Sequence, residues 1–290
     1  MTQARTVDWS AILAHPEVQT LIALAIAEDV GSGDATTLAI FPEARPARAR
    51  IVSRGPTVVT GLPVADIVFR YFDRDVKFTP LATDGAAVAA GATLCAIEGD
   101  LRSILTAERC ALNFLMRLCG IASAAARAVA EVPAGTKARI YDTRKTAPGW
   151  RRLEKAAVRA GGAENHRMGL YDMVLIKDNH VAASCSVAAA VASARNKHGG
   201  KLPIQVEIDR LDQLDEALAA GPDLVLLDNF TLADMARAVE RVGGRLPLEV
   251  SGGVTLDAIA AIARTGVDRI SMGALTHTVR PADLSLEVEP

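Results

Sequence analysis

Ten basic side chains fall between Lys137 and Lys177, and only four acids oppose them. The bases are Lys137, Arg139, Arg144, Lys145, Arg151, Arg152, Lys155, Arg159, Arg167 and Lys177; the acids are Asp142, Glu154, Glu164 and Asp172. His166 and His180 add imidazoles. The chain as a whole carries a formal charge of −2, so the excess is local. Arg151, Arg152, Lys155 and Arg159, with Glu154 among them, have helical spacing and read as a solvated helix face. Arg144 and Lys145 are different, because they follow the short apolar run 138–141, and Lys177 ends the run 173–176. A buried strand opens onto a crevice at its end, so charges placed there point to a site. Arg, Lys and Lys at two strand ends suit a small ligand with several negative charges.

Three acids answer the bases. Glu207, Asp228 and Glu249 follow one another at intervals of 21 residues, about one βα unit, each at or near the end of a strand candidate. The candidates are 138–142, 172–177, 204–208, 224–228, 248–250 and 269–272, with helical patterns between them. Such a series predicts a (β/α) barrel, whose chemistry lies at the carboxyl ends of its strands. Acids repeated there, opposite a basic cluster, suit a divalent metal; Mg²⁺ takes oxygen ligands and shares them with substrate phosphates. Ser251-Gly252-Gly253 and Ser271-Met272-Gly273 follow late strands. Glycines there let backbone N–H groups approach a phosphate.

The elements before the barrel read as a smaller α+β domain. A helix is predicted over 9–28, with Pro16 near a helix start. Gly31-x-Gly33 follows that helix instead of a strand, so the segment 28–37 reads as a structured turn and not as a dinucleotide loop. Short β-like runs occupy 47–53, 57–60, 76–80, 86–89 and 93–99, with a helix over 66–72. Residues 101–130 form a long helix or a helix pair, bent or broken at Gly120. On pattern alone, Arg109 is an ion-pair partner of Glu108 or a solvated tip. The alternating tail 284–288 reads as a last strand returning to the first domain. These elements read as a small α+β domain ahead of a (β/α) barrel.

Composition narrows the function. With 50% hydrophobic and 23% charged residues the chain is ordinary for a soluble globular protein. Its slight acidity argues against nucleic acid or an anionic membrane as the main partner. The N-terminus lacks a long apolar core, so no signal peptide is expected, and no apolar run is expected to span a bilayer. Cys95, Cys110, Cys119 and Cys185 show no C-x-x-C spacing and read as reduced packing residues of a cytoplasmic protein, with zinc a distant second.

With these residues assembled, the chain resembles the quinolinate phosphoribosyltransferase family. The resemblance runs from about residue 28 to 286 and rests on AEDVGSGDATT, ERCALNFLMRLCGIAS, DTRKTAPGWRRLEKAAVRAGGAENHRMGL, DMVLIKDNH, VEID, LLDN, EVSGGV and GVDRISMGALTHT. Cys119 and Trp150 depart from the usual pattern without replacing a charged ligand. A molybdenum-transport-linked relative of the family shares the DTRKT-like segment, and departs from it around IKDNH. The resemblance implies transfer from phosphoribosyl pyrophosphate to quinolinate with decarboxylation, yielding nicotinate mononucleotide for NAD synthesis. It implies an N-terminal open α/β sandwich domain over 1–118, with 277–290 packing back on it, and an incomplete α/β barrel over 119–276, in homodimers or assemblies of dimers whose sites are shared between one subunit's barrel and the other's sandwich domain. Arg109, Arg144, His166, Arg167 and Lys177 would then hold quinolinate, with Arg109 reaching in from the partner and Lys145 near both substrates. Glu207 and Asp228 would hold Mg²⁺ and the ribose hydroxyls. Ser251, Gly252, Gly253, Gly273 and His277 would hold the 5′-phosphate. Lys145 or Lys177 would supply the final proton. The rival readings are the molybdenum-linked transferase with another acceptor, and a non-catalytic sensor of an anionic metabolite.

Overall fold

The computed structural model describes residues 7–289; the expectation about a signal peptide falls partly on residues 1–6, outside that range. The chain divides into two compact units. The first comprises Met1–Ala126, Thr146–Gly162 and Leu275–Pro290; the second comprises Arg127–Lys145 and Ala163–Ala274. This division differs from the one expected at 118/119 chiefly in assigning 146–162 to the first unit.

In the first unit, Pro16 splits the expected N-terminal helix into α1 (Trp9–Leu13) and α2 (Pro16–Val30), because a proline is tolerated only in the first turn of a helix. Gly31 and Gly33, at φ +51° and +135°, make the turn that follows. Asp34 then caps α3 (Ala35–Ile40), accepting from the Thr37 amide at 2.9 Å. Next come β1 (Pro46–Ser53), β2 (Thr57–Val58), α4 (Leu62–Phe72), β3 (Lys77–Pro80), β4 (Ala87–Val88) and β5 (Thr93–Asp100). The tail strand β12 (Leu284–Val288) pairs antiparallel with β1, giving the sheet order β12-β1-β5-β3.

Helix α5 (Leu101–Ala130) runs unbroken through Gly120, against the expected bend. A Cβ at Gly120 would lie 2.4 Å from the Arg280 carbonyl oxygen, so the glycine serves close packing and not a break. By length and composition α5 could cross a membrane, which the sequence reading did not anticipate; 56% of its most apolar window is buried within the protein. Lys155 corrects another expectation: on α6 (Arg151–Ala160) it is buried and not part of a solvated face.

The second unit is one parallel sheet of order β6-β11-β10-β9-β8-β7, an incomplete barrel with β6 and β7 at its edges. Its elements are β6 (Arg139–Tyr141), β7 (Val174–Ile176), α7 (Asp178–Ser184), α8 (Val187–His198), β8 (Ile204–Ile208), α9 (Leu214–Ala219), β9 (Leu224–Asp228), α10 (Leu232–Val242), β10 (Leu248–Ser251), α11 (Ile259–Arg264) and β11 (Arg269–Ser271). Short helix α12 (Ala274–His277) follows. Side chains alternate along a strand. Val206, Ile208, Val225, Leu227, Val250 and Ile270 therefore share one face, all of them buried. The opposite face carries Gln205, Glu207, Leu226, Asp228, Glu249, Ser251, Arg269 and Ser271. One face thus makes the core and the other makes a polar interior.

Register corrects the expected level of the three acids. Glu207 and Glu249 both stand opposite Leu226, whereas Asp228 lies two residues further along, opposite Ser251. Equal spacing in sequence does not bring the three to one height.

Candidate functional site

The site begins on Asp142, which directly follows β6 and has no exposed surface. Its Oδ1 accepts from the His166 amide at 2.8 Å and its Oδ2 from the Asn165 side chain at 2.7 Å. A backbone bridge reinforces this joint, with Glu164 N donating to Ile140 O and Asp142 N to Glu164 O. Two stretches far apart in sequence, each carrying an arginine, are thereby fastened together. Burial lowers the Arg167 pKa from its usual range, and the nearby positive charge of Arg144 lowers it further. Arg167 Nη1 donates to Met173 O at 3.1 Å, which fixes the guanidinium against the residue that precedes β7. Two guanidinium charges held near one another, one of them partly buried, make a place where an anion relieves repulsion.

His166 is held inside the protein more tightly than its expected role as a ligand of substrate suggests. Its side chain is only 8% exposed. Nδ1 accepts from the Arg167 amide at 2.7 Å. Nε2 lies 3.1 Å from Gln205 Oε1 and 3.2 Å from Glu249 Oε1. Glu249 also receives Ser271 Oγ at 2.5 Å and Gln205 Nε2 at 2.9 Å. Burial alone would raise the Glu249 carboxyl pKa; the contacts with His166, Ser271 and Gln205 outweigh it and hold the pKa below the usual carboxylate range. The group stabilises the fold above the ordinary carboxylate range, and that contribution is lost as pH falls through the depressed value. Glu249 is therefore an internal anchor and not a third member of a metal-binding series.

Lys177 sits just past β7, where His180 Nδ1 accepts its backbone N–H at 3.0 Å. Its Nζ reaches Glu207 at 2.7 and 3.1 Å. Asp228 ends β9 and receives Ser251 Oγ at 2.6 Å on one oxygen and Asn229 Nδ2 at 2.8 Å on the other. Asn229 holds φ +56°, left-handed backbone that asparagine tolerates better than most residues. Its amide donates to Ser251 O at 3.0 Å. A Cβ at Gly252 would stand 2.2 Å from Asn229 Oδ1. Glycine is needed at 252 for Asn229 to close over the strand ends, a reason distinct from the expected approach of a phosphate. Gly253 at φ +56° has open space where a side chain would be.

Lys177 and Glu207 are brought together in this way, as are Asp228 and Ser251 on neighbouring strand ends, and Arg167 lies within electrostatic reach of Arg144 and Glu207. Lys145 is exposed beside Arg144, its amide donating to Thr143 Oγ1 at 3.1 Å. Gly273 follows β11 and is half-buried. Arg109 and His277 belong to the first unit. Arg109 is 60% exposed on α5, with a guanidinium nitrogen 4.0 Å from Glu108. His277 Nδ1 lies 2.6 Å from Thr278 Oγ1. Sequence reasoning missed Asp142, Gln205, Asn229 and Ser271 as supporting residues. A polar residue in an otherwise apolar strand was the available signal for Gln205 and Ser271. Among the described residues, no group of three or more His, Cys, Asp or Glu side chains converges to hold a metal. A pair of carboxylates such as Glu207 and Asp228 would be the kind of donor set that suits Mg²⁺, which usually takes only one or two carboxylates beside phosphates.

Comparison with known proteins agrees along most of the chain. Residues 34–119 match the quinolinate phosphoribosyl transferase N-terminal domain, and residues 121–287 match the C-terminal domain of the same family. The chain is 44% identical to a nicotinate-nucleotide pyrophosphorylase [carboxylating] of Mycobacterium leprae, over 91% of this chain and 94% of that one. It is 38% identical to a probable nicotinate-nucleotide pyrophosphorylase [carboxylating] of Bacillus subtilis, over 94% of each. The solved nicotinate-nucleotide pyrophosphorylase of Francisella tularensis superposes with a TM-score of 0.89 at 39% identity, over 96% of this chain and 99% of that one.

The clamp at Asn229 makes a prediction about stability. Gly252→Ala should cost about 1–3 kcal/mol by overpacking, besides the backbone strain at φ +96°. Gly253→Ala carries only the backbone cost, about 1–2 kcal/mol. Denaturant titration of both variants measures the difference. Equal losses would mean that Asn229 does not press on residue 252.

Proposed function

The chain belongs to the quinolinate phosphoribosyl transferase family, and on that premise we propose how its residues divide the work. It transfers the phosphoribosyl group of phosphoribosyl pyrophosphate to quinolinate with loss of CO₂, forming nicotinate mononucleotide and pyrophosphate in NAD biosynthesis. The observation that carries the site reading is that Arg167 feels the charges of both Arg144 and Glu207, while Glu207 pairs with Lys177. Quinolinate bears two adjacent carboxylates. Guanidinium forks bind carboxylates bidentately, and a dianion offsets the positive charge that Arg144 places on Arg167.

Glu207 and Asp228 would hold Mg²⁺ and the ribose hydroxyls. When bound, the ion would offset charge growing on the departing pyrophosphate. Lys177 occupies Glu207 in this structure. On the reading proposed here, substrate binding exchanges partners: Lys177 turns to a quinolinate carboxylate, and Glu207 becomes available on the ribose side. Ser251, Gly252, Gly253, Gly273 and His277 would hold the 5′-phosphate. The ring nitrogen attacks C1 of the ribose as the C1–O bond to pyrophosphate breaks. The nitrogen is then positive, and that charge stabilises the carbanion left at C2 when CO₂ departs. Lys145 or Lys177 supplies the proton that C2 takes up, and solvent reprotonates the lysine. Arg109 would reach the site of a partner subunit in a homodimer or an assembly of dimers. Burial pushes the Cys95 and Cys119 thiols up to about 12, so both stay protonated and unreactive, as suits a reducing cytoplasm.

Three outcomes are expected. Turnover of quinolinate should exceed that of nicotinate by at least about 100-fold in kcat/KM, because nicotinate leaves a buried cation unpaired. Comparable values would reject the dicarboxylate site. Glu207→Ala and Asp228→Ala should each lower kcat by about 100-fold or more while calorimetry still detects quinolinate binding; normal Mg²⁺ dependence in both variants would remove the metal assignment. Arg109→Ala and Arg144→Ala should each be nearly inactive alone. Co-expressed, about half of randomly assembled dimers are mixed and have one intact site, so about a quarter of full activity should return. No recovery in mixed dimers confirmed by differential tags would place Arg109 within its own subunit.

A further inference from the structure

The cluster beneath the arginines has a direction. Glu249 is fully buried, and Ser271 and Gln205 donate to it while His166 lies against it. Ser271 Oγ–H donates to Oε1 at 2.5 Å, and Gln205 Nε2 donates to Oε2 at 2.9 Å. With its amide nitrogen so committed, Gln205 presents its carbonyl Oε1 to His166 Nε2 at 3.1 Å. Glu249 Oε1 lies 3.2 Å from the same nitrogen. Both groups facing Nε2 are acceptors, so Nε2 must carry a hydrogen. On the other side of the ring, Nδ1 takes the Arg167 N–H at 2.7 Å, which requires a bare lone pair. The two sides agree on one neutral tautomer, and that tautomer fixes the peptide that carries Arg167.

We propose that Glu249 and Gln205 are positioning residues for anion recognition: the buried carboxylate sets the His166 tautomer, and His166 in turn sets the Arg167 backbone. This rests, for its effect on substrate, on the reading that Arg167 holds a quinolinate carboxylate. Glu249 acts at a distance and touches no substrate. Only an acceptor-only group can end this chain of donors. In Glu249→Gln the new NH₂ meets the NH₂ of Gln205. If Gln205 turns over to relieve that conflict, it offers an NH₂ to His166 Nε2. The ring proton then belongs on Nδ1, where it opposes the Arg167 N–H. A one-atom change in the interior therefore ends at the arginine.

The same logic supplies a repair. In the double variant Gln205→Glu with Glu249→Gln, the carboxylate moves one place along the chain. The amide at 249 accepts from Ser271 and donates to the carboxylate at 205, and that carboxylate accepts His166 Nε2–H. Every donor again has an acceptor.

The test uses the full chain and three readouts. Calorimetry with quinolinate should show Glu249→Gln weakened by about ten-fold or more, with phosphoribosyl pyrophosphate binding within about two-fold of the original. The double variant should recover most of the quinolinate loss, which a merely space-filling role does not predict. Nitrogen-15 histidine spectra, with His166 assigned by its absence in His166→Asn, should show a hydrogen on Nε2 in the original chain and in the double variant. Unchanged quinolinate binding in Glu249→Gln would overturn the proposal. So would a double variant no better than the single one at equal thermal stability, or a hydrogen on Nδ1 in the original chain. If the original chain itself fails to bind quinolinate, the functional reading falls, and the nitrogen spectra still decide the tautomer.

Discussion

A carboxylate with no exposed surface sets the terms for this site. Removing a charge from water costs several kcal/mol unless donors replace the lost hydration. Glu249 receives those donors from three elements at once: Gln205 on β8, Ser271 on β11 and His166 on the loop after Glu164. Satisfying one buried charge therefore ties strands on both sides of β10 to the loop that carries Arg167. The requirement is strict because a partly satisfied polar cluster is worse than an apolar one. Strand packing alone would place the arginine loosely; the hydrogen-bond network places it by stereochemistry.

Above that anchor the charges are arranged to be exchanged, not kept. Arg144 and Arg167 stand close enough to disfavour one another, while Lys177 and Glu207 are paired. Half-exposed ion pairs are worth little in net stability, so the Lys177–Glu207 pair opens at small cost. On the proposed reading, an arriving dianion would gain two attractions, offsetting the positive charge of the arginines and drawing Lys177 from Glu207. The price of pre-arranging like charges is met by folding, since Asp142 and the backbone bridge at Glu164 hold the two stretches together whether or not an anion is present.

Much of this was legible in the sequence, and the reasons are specific. Strands β7 and β9 could be read because each is a short apolar run that stops at a charge, Lys177 and Asp228. Glu207 was legible differently, as a charge inside β8 one residue before its end. Glu249 was misjudged because spacing along the chain measures only the length of a βα unit. The height of a residue in the barrel depends on register, and β8 and β9 pair so that Glu207 meets Leu226, two residues short of Asp228. Gly120 was misread as a break because a missing side chain has the same letter whether it admits flexibility or a neighbouring carbonyl. Lys155 looked solvated because charge pattern alone cannot distinguish an exposed helix face from one covered by residues distant in sequence.

The different fates of Asp228 and Glu249 follow from the same geometry. On adjacent parallel strands, both acids lie on the polar face of the sheet. Glu249 stands two residues deeper, where other side chains of the barrel close over it. Only donors from the protein can reach it there, and it is committed to structure. Asp228 ends its strand, so its carboxylate is oriented by Ser251 and Asn229 yet remains partly exposed. An acid held by two donors and still open to solvent can bind a ligand without first breaking the fold. Depth alone does not decide the matter, since Glu207 shares the register of Glu249 yet stays partly exposed and pairs with Lys177; what commits Glu249 to structure is the closure of protein donors around it.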